Sequence, residues 1–346
     1  MVLSFPSALI SSLFFPQREA VRKRAKKVFY GLNKLNQKIN YMSHDELIEH
    51  LEANKLSVIG HDDVLKARLK YFFKVQRFTE AGLGYIIFSL PYYIVVDFEA
   101  TCDTLNPPDF PHEIIEFPAV LISSRDLKIV DKFQHYVSPE INPKLTTFCK
   151  TLTGITQKQV DSAETFPVVL QKFRQWISSH ELGKEGREFA IVTDGPWDMG
   201  RFLYGQCMIS QVTYPHFAEK WINMRKIFRS FYSQQQVSLQ SMLDLVGLDF
   251  EGRPHCGLDD AVNIARIFIQ MIKDGAPLRY NEAIRQNKSP SSNLYVQNYH
   301  GNEWERKYKE SDKYMYRELN GLLYILDCNK SKKSKKQKGK KVQRDS

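Results

Sequence analysis

Asp97 and Glu99 lie in Ile94-Val95-Val96-Asp97-Phe98-Glu99-Ala100-Thr101, Asp198 in Asp194-Gly195-Pro196-Trp197-Asp198-Met199, and His255 and Asp260 in His255-Cys256-Gly257-Leu258-Asp259-Asp260. Four carboxylates can hold two divalent cations, and a histidine beside them can take a proton from water. Together they are equipment for hydrolysing a phosphodiester. Mg2+ or Mn2+ suits such an all-oxygen set, because both are hard cations.

The surrounding sequence must position these groups. Tyr93–Phe98 reads as a buried strand, and alternation puts Asp97 and Glu99 on one face. Two carboxylates this close repel unless a cation lies between them. Asp198 opens a helix read over Pro196–Gln206, with Pro196 suited to the first turn. Asp194 competes for its role, as Asp259 does for that of Asp260. His255 falls on a loop before a helix over Leu258–Lys273, with Asp260 in its first turn. A histidine there is free to approach water and suited to accept a proton near pH 7.

Further strands are read at Ile114–Ser123, Lys132–Val137, Phe189–Thr193 and Trp221–Phe228. Helices are read at Glu164–Ser179, where Phe166, Leu170, Phe173 and Ile177 recur at helical spacing, and at Ser238–Val246 before Gly247. Alternating strands and helices from Tyr92 to Gly275 indicate an α/β fold with a mixed sheet.

The net charge of +10 is concentrated in two blocks. Lys330–Ser346 holds eight lysines, Arg344 and a single acid, and Arg22-Lys23-Arg24-Ala25-Lys26-Lys27 adds five cations. The rest of the chain is slightly negative. The blocks read as solvated arms for nucleic-acid contact or nuclear import. The five cysteines show no zinc spacing and fit a reducing compartment. No stretch approaches the roughly 20 apolar residues of a membrane span. Met1–Pro16 is apolar but lacks the charged start of a secretory signal; a mitochondrial presequence is the minor alternative to nuclear, nucleolar and cytoplasmic residence.

Five regions are expected: a basic, disordered arm over 1–40, a helical module over 41–75, a linker over 76–91, the α/β domain over 92–276, and an extension with a lysine-rich tail over 277–346. In the module, Ser43-His44-Asp45-Glu46 is a capping box. Leu47 and Leu51 share a face of the first helix. Asp62 or Asp63 starts a second helix, with Val64, Leu65 and Leu69 inward and Lys66, Arg68, Lys70 and Lys74 outward. This pair resembles a SAP domain, a nucleic-acid-binding helix–extended–helix unit. A plain helical hairpin is the alternative.

Asp-x-Glu after a strand, Asp on a helix and His-x-x-x-x-Asp, in that order, resemble the DEDDh exonucleases. The resemblance implies an RNase H-like mixed five-stranded sheet flanked by helices. Asp97–Cys102, Thr193–Met199, Gly252–Asp260 and Leu152-Thr153-Gly154-Ile155, joined to the SAP-like pair, resemble more narrowly the Eri-type 3′→5′ exoribonucleases, the 3′ histone-mRNA exonuclease family. The family pattern Asp-x-x-x-Phe-Leu favours Asp198 over Asp194.

The resemblance further implies that Asp97, Glu99, Asp198 and Asp260 bind two Mg2+ ions, Mn2+ being a substitute, and that His255 is the general base. Glu99 acts in catalysis and, with Ala100 and His255, contacts the terminal nucleotide. Trp197 is a candidate stacking surface for the terminal base, with a core tryptophan as the alternative. Lys66, Arg68, Lys70 and Lys74 are candidates for RNA phosphate contacts. The implied partners are RNA, as a stem-loop or a duplex with a 3′ overhang, and with it ribosomal subunits, a stem-loop-binding protein or a Dicer-type complex. The implied substrates are the histone mRNA stem-loop, 5.8S ribosomal RNA and short interfering RNA. A DEDDh exodeoxyribonuclease and a catalytically silent RNA-binding scaffold are the competing readings.

Overall fold

The computed structural model describes residues 15–83, 90–105 and 110–284. Most of the apolar N-terminus, Cys328 and the lysine tail fall outside these residues. The chain divides into two compact units. Within the described residues, the smaller comprises 15–38 and 73–83, and the larger comprises 39–72, 90–105 and 110–284.

The arm expected over 1–40 is helical where it is described, as α1 (Phe15–Asn40). Ala25, Val28, Phe29 and Leu32 recur at three- and four-residue spacing and form an apolar stripe. In the smaller unit this stripe packs with Phe73, Phe78 and Leu83. Phe29 and Phe78 meet edge to face at 5.1 Å. Lys23, Arg24, Lys26 and Lys27 are exposed, so the basic run decorates a helix rather than an extended arm.

The capping box forms as expected at α2 (His44–Ala53): Ser43 N donates to Glu46 Oε2 at 2.7 Å, and Leu47 and Leu51 are buried. The next helix, α3 (Asp62–Glu80), runs into the expected linker because nothing in 75–80 breaks it before Gly82.

The sheet contains β1 (Tyr92–Val96), β2 (Glu99–Ala100), β3 (Ile114–Ser123) and β4 (Lys128–Tyr136). Three helices follow, α4 (Thr147–Thr153), α5 (Gln157–Asp161) and α6 (Phe166–Ser179). Then come β5 (Phe189–Thr193), a π-helical turn (Asp198–Leu203) leading into α7 (Tyr204–Ile209), β6 (Lys220–Asn223), α8 (Met224–Phe231), α9 (Leu239–Val246), α10 (Gly257–Lys273) and β7 (Glu282–Ala283). The order is β2-β3-β1-β5-β6-β7, with β4 also on β3. β1 pairs parallel with β5 and antiparallel with β3. Five longer strands make the expected mixed sheet, and the two-residue β2 and β7 bring it to seven among the described residues.

β7 lies beyond the boundary expected at 276, because Trp221–Glu282 pairing adds an edge strand to β6. The strand expected over Trp221–Phe228 stops at Asn223, whose side chain caps α8 by accepting from Lys226 N at 3.1 Å.

β1 reads as a continuous apolar run because both its faces are covered. Tyr93 and Val95 pack with α8, α9 and α10, and Ile94 and Val96 pack with α6. Asp97 is the first residue past this buried strand, so it inherits the rigidity of the sheet centre.

Candidate active site

Three elements converge where β1 ends. Phe98 N donates to Asp198 Oδ1 at 2.9 Å, joining the first acidic motif to the π-helical turn. Such turns recur at functional sites because they re-aim side chains within a helix. The N-terminus of α10 closes the third side. A Cβ on Gly257 would lie 2.8 Å from Asp97 O, so only glycine permits this approach. Asp260, in the first turn, accepts from His255 N at 2.9 Å. Asp198 and Asp260 are buried, at 5% and 7% exposure, and Asp97 and Glu99 are partly exposed.

The electrostatics show that these carboxylates share one region. Burial, then Asp198, Glu99, Asp260 and Asp194, push Asp97 well above the usual carboxylate range. Glu99 is pushed up to about 9 by burial, Glu116, Asp260 and Asp198. Burial raises Asp198 to about 7 against the Phe98 hydrogen bond, and raises Asp260 to about 6 against the His255 amide. A set of acids that burial and mutual repulsion hold toward the neutral form is relieved by a cation.

The donor set therefore fits divalent ions. Among the described residues, however, no three His, Cys, Asp or Glu side chains form a ready-made cation cage. The two facts agree physically, because a hard divalent cation can take one or two carboxylates together with waters and substrate oxygens rather than an all-protein shell.

The competing aspartates are committed elsewhere. Asp194 receives a two-pronged ion pair from Arg225, whose Nε lies 3.1 Å from Asp194 Oδ1. Asp259 accepts from Arg253 N at 2.9 Å and holds the loop before α10. His255 is exposed and has a φ of 62°, which turns the chain sharply ahead of the helix.

Glu116 belongs to none of the sequence motifs but joins the site in the fold. It pairs in register with Glu99, is 1% exposed, and accepts from Gly257 N at 3.1 Å and Gln134 Nε2 at 2.7 Å. The available signal was an acid inside the otherwise apolar strand Ile114–Ser123.

Of the residues expected to meet RNA, Trp197 lies outside the core at 53% exposure, with the Arg201 guanidinium 4.6 Å from its ring centre. Ala100 is buried at the rim of β2. Arg68 corrects the sequence reading. It is 6% exposed and donates from Nε to Asp274 Oδ1 at 2.8 Å and from Nη1 to Ser57 O and Ile59 O. Position 68 shares the inward stripe with Val64, Leu65 and Leu69, so helical geometry overrides residue type. Lys66, Lys70 and Lys74 are each partly exposed. Burial and the neighbouring Lys66 lower the Lys70 pKa.

A mixed sheet whose central strand ends at Asp97, bonded to the Asp198 turn and abutted by the start of α10, is the arrangement of a DEDDh nuclease on an RNase H-like fold. The family model described as exonuclease matches residues 94–268. The chain is 49% identical over 263 residues to 3'-5' exoribonuclease 1 of Homo sapiens, covering 75% of each chain. It is 37% identical to the 3'-5' exonuclease Snipper of Drosophila melanogaster, over 54% of this chain and 70% of that one.

The solved nuclease domain of 3'hExo, a DEDDh family member bound to rAMP, is 53% identical with a TM-score of 0.55, covering 56% of this chain and 98% of that one. A 3'-exonuclease solved in 3'-end-specific recognition of the histone mRNA stem-loop is 46% identical with a TM-score of 0.57, covering 78% and 94%. The chain belongs to the 3'-5' exoribonuclease 1 family and is a 3'-5' exoribonuclease.

Proposed function

We propose that the chain trims the 3′ end of stem-loop RNA and releases nucleoside 5′-monophosphates. The observation that carries this reading is the convergence of Asp97, Glu99, Asp198 and Asp260 at the end of β1, in a chain 46% identical to a 3'-exonuclease solved with a stem-loop.

These four carboxylates would hold two Mg2+ ions, with Mn2+ as substitute. When bound, the ions supply neutralisation of phosphate charge and a lowered pKa for attacking water. His255 accepts the proton of that water at its imidazole. The Asp260 carboxylate, by accepting from the His255 amide, fixes where the imidazole starts. Glu99 and Ala100 meet the terminal nucleotide. Trp197 offers an exposed ring for base stacking, which tolerates any base. Lys66 and Lys70 lie four residues apart on α3, and their mutual repulsion is relieved by a phosphate between them; Lys74 is a further candidate for phosphate contact. The exposed basic side of α1 supports a nuclear or nucleolar pool.

The test is a labelled stem-loop RNA beside a matched DNA, with Mg2+ and with EDTA. The expected result is cation-dependent loss of RNA from the 3′ end. Faster loss of DNA would favour an exodeoxyribonuclease.

A further inference from the structure

We propose that Arg253 is a positioning residue that holds the His255 loop against α4, with Gly154 as its required seat. The inference rests on the reading of His255 as general base.

His255 stands in a loop with two turns of unusual handedness, Gly252 at φ 89° and His255 at φ 62°. The second is uncommon for a residue with a side chain, and such a residue keeps that shape only when its surroundings impose it. Several bonds do so. His255 N donates to Asp260 Oδ2, Arg253 N donates to Asp259 Oδ2, and Cys256 N donates to Arg253 O at 3.2 Å. All three partners lie within the loop or the first turn of α10, so these bonds hold the loop to α10 and Asp260 without fixing it to the segment that carries Glu99.

The Arg253 side chain supplies that fixing. Its Nη2 donates to Thr151 O at 2.9 Å and to Leu152 O at 3.0 Å. These are last-turn carbonyls of α4, which lack helical partners and carry the negative end of the helix dipole. Gly154 ends α4 at φ 74°, and a Cβ there would lie 1.8 Å from Arg253 Nη1 and 2.7 Å from Cζ. The guanidinium therefore occupies the space a side chain at 154 would need. This gives Leu152-Thr153-Gly154-Ile155 a role that the metal-ligand reading leaves unexplained.

α4 is itself tied to the segment that carries Glu99. Thr146 Oγ1, at its N-cap, donates to Cys102 O at 2.8 Å, and Cys149 Sγ lies 3.8 Å from Ala100 O. The connection runs from Glu99 and Ala100 through α4 and Arg253 to His255. It joins the base to the carboxylates by a route independent of α10.

The experiment uses the full chain and a 3′-labelled stem-loop RNA in Mg2+, with R253A, R253K, G154A, H255A and the double variant R253A/H255A. R253A is expected to lower kcat by up to about a hundredfold with KM nearly unchanged, the scale of a misplaced catalytic group. R253K should recover part of the rate, since an ammonium can reach one carbonyl, and free guanidinium should restore part of it to R253A. G154A should follow R253A. In the H255A background, R253A should cost nothing further, because a residue that acts by placing the imidazole has nothing left to place.

Wild-type kcat in R253A, or an undiminished effect of R253A on top of H255A, would overturn the inference. The second outcome would mark Arg253 as a cap of α4 only. Wild-type kcat in H255A would instead remove the base reading, and the inference with it.

Discussion

The two sides of the active site are built differently. On the carboxylate side, Asp97 follows a strand buried on both faces and paired with β3 and β5, and Asp198 is bonded to the adjoining backbone. On the histidine side, His255 is exposed on a loop of unusual backbone shape, held by individual hydrogen bonds. The sheet holds repelling charges in place, a task that needs rigidity. The loop leaves His255 open to solvent, and the proposed role of proton acceptor needs that access. Loss of a ligand should therefore remove chemistry outright, and loss of the histidine should slow it.

The sharpest test of that contrast is Asp97→Asn. It is expected to reduce turnover by about ten-thousandfold or more, roughly 5 kcal/mol of barrier, while leaving stem-loop binding intact in a gel-shift titration. His255→Ala comes next, with a loss of about a hundredfold to ten-thousandfold, the usual range for a general base. Calorimetric titration should show its divalent-ion binding unchanged. Lost metal binding in the histidine variant would erase the division between the two sides.

Arg68→Ala tests the frame behind them. It strands Asp274, which is buried and also accepts from Tyr232 Oη at 2.8 Å and Gln270 Nε2 at 3.0 Å. Breaking a buried pair from one side costs about 3–5 kcal/mol, readable as a lower urea midpoint. An unchanged midpoint would return Arg68 to the surface role first read from the sequence.

A smaller effect concerns pH. Glu99, Asp198 and Asp260 have pKa values raised to about 9, 7 and 6. Raised carboxylate values favour the folded state while the groups are protonated, so their contribution is lost as pH rises through those values. EDTA-treated protein should therefore melt at lower temperature as pH rises from about 5 to about 8, and the gain on adding Mg2+ or Mn2+ should grow over the same interval. A gain that shrinks with pH would place the cation away from these acids.

Much of this was legible in residue order. Ile114–Ser123 and Phe189–Thr193 are strands at the bounds read from the sequence, because largely apolar runs buried on both faces leave little alternative. The capping box at Ser43 is local chemistry and formed as read. What escaped depended on contacts remote in sequence or on competing signals. The basic run of α1 masked the stripe of Ala25, Val28, Phe29 and Leu32. Thr146 and Thr156 cap the short helices α4 and α5, which went unread because each has too few residues to show a period. Charge alone points Arg68 outward, although its spacing from Val64 and Leu65 puts it on the buried face. Glu116 and Gly257 gain meaning only once β3 and α10 meet beside Asp97.

The most direct test of the central claim is to digest one stem-loop RNA, labelled at its 5′ end in one reaction and at its 3′ end in another, with the full chain in Mg2+. The 5′ label should move down a ladder of products shortened one nucleotide at a time. The 3′ label should appear at once as a nucleoside 5′-monophosphate, and both changes should vanish with EDTA or in Asp97→Asn. RNA that stays intact, that shortens from its 5′ end, or that is lost equally with Asp97→Asn would contradict a cation-dependent 3′ exoribonuclease built on these five residues.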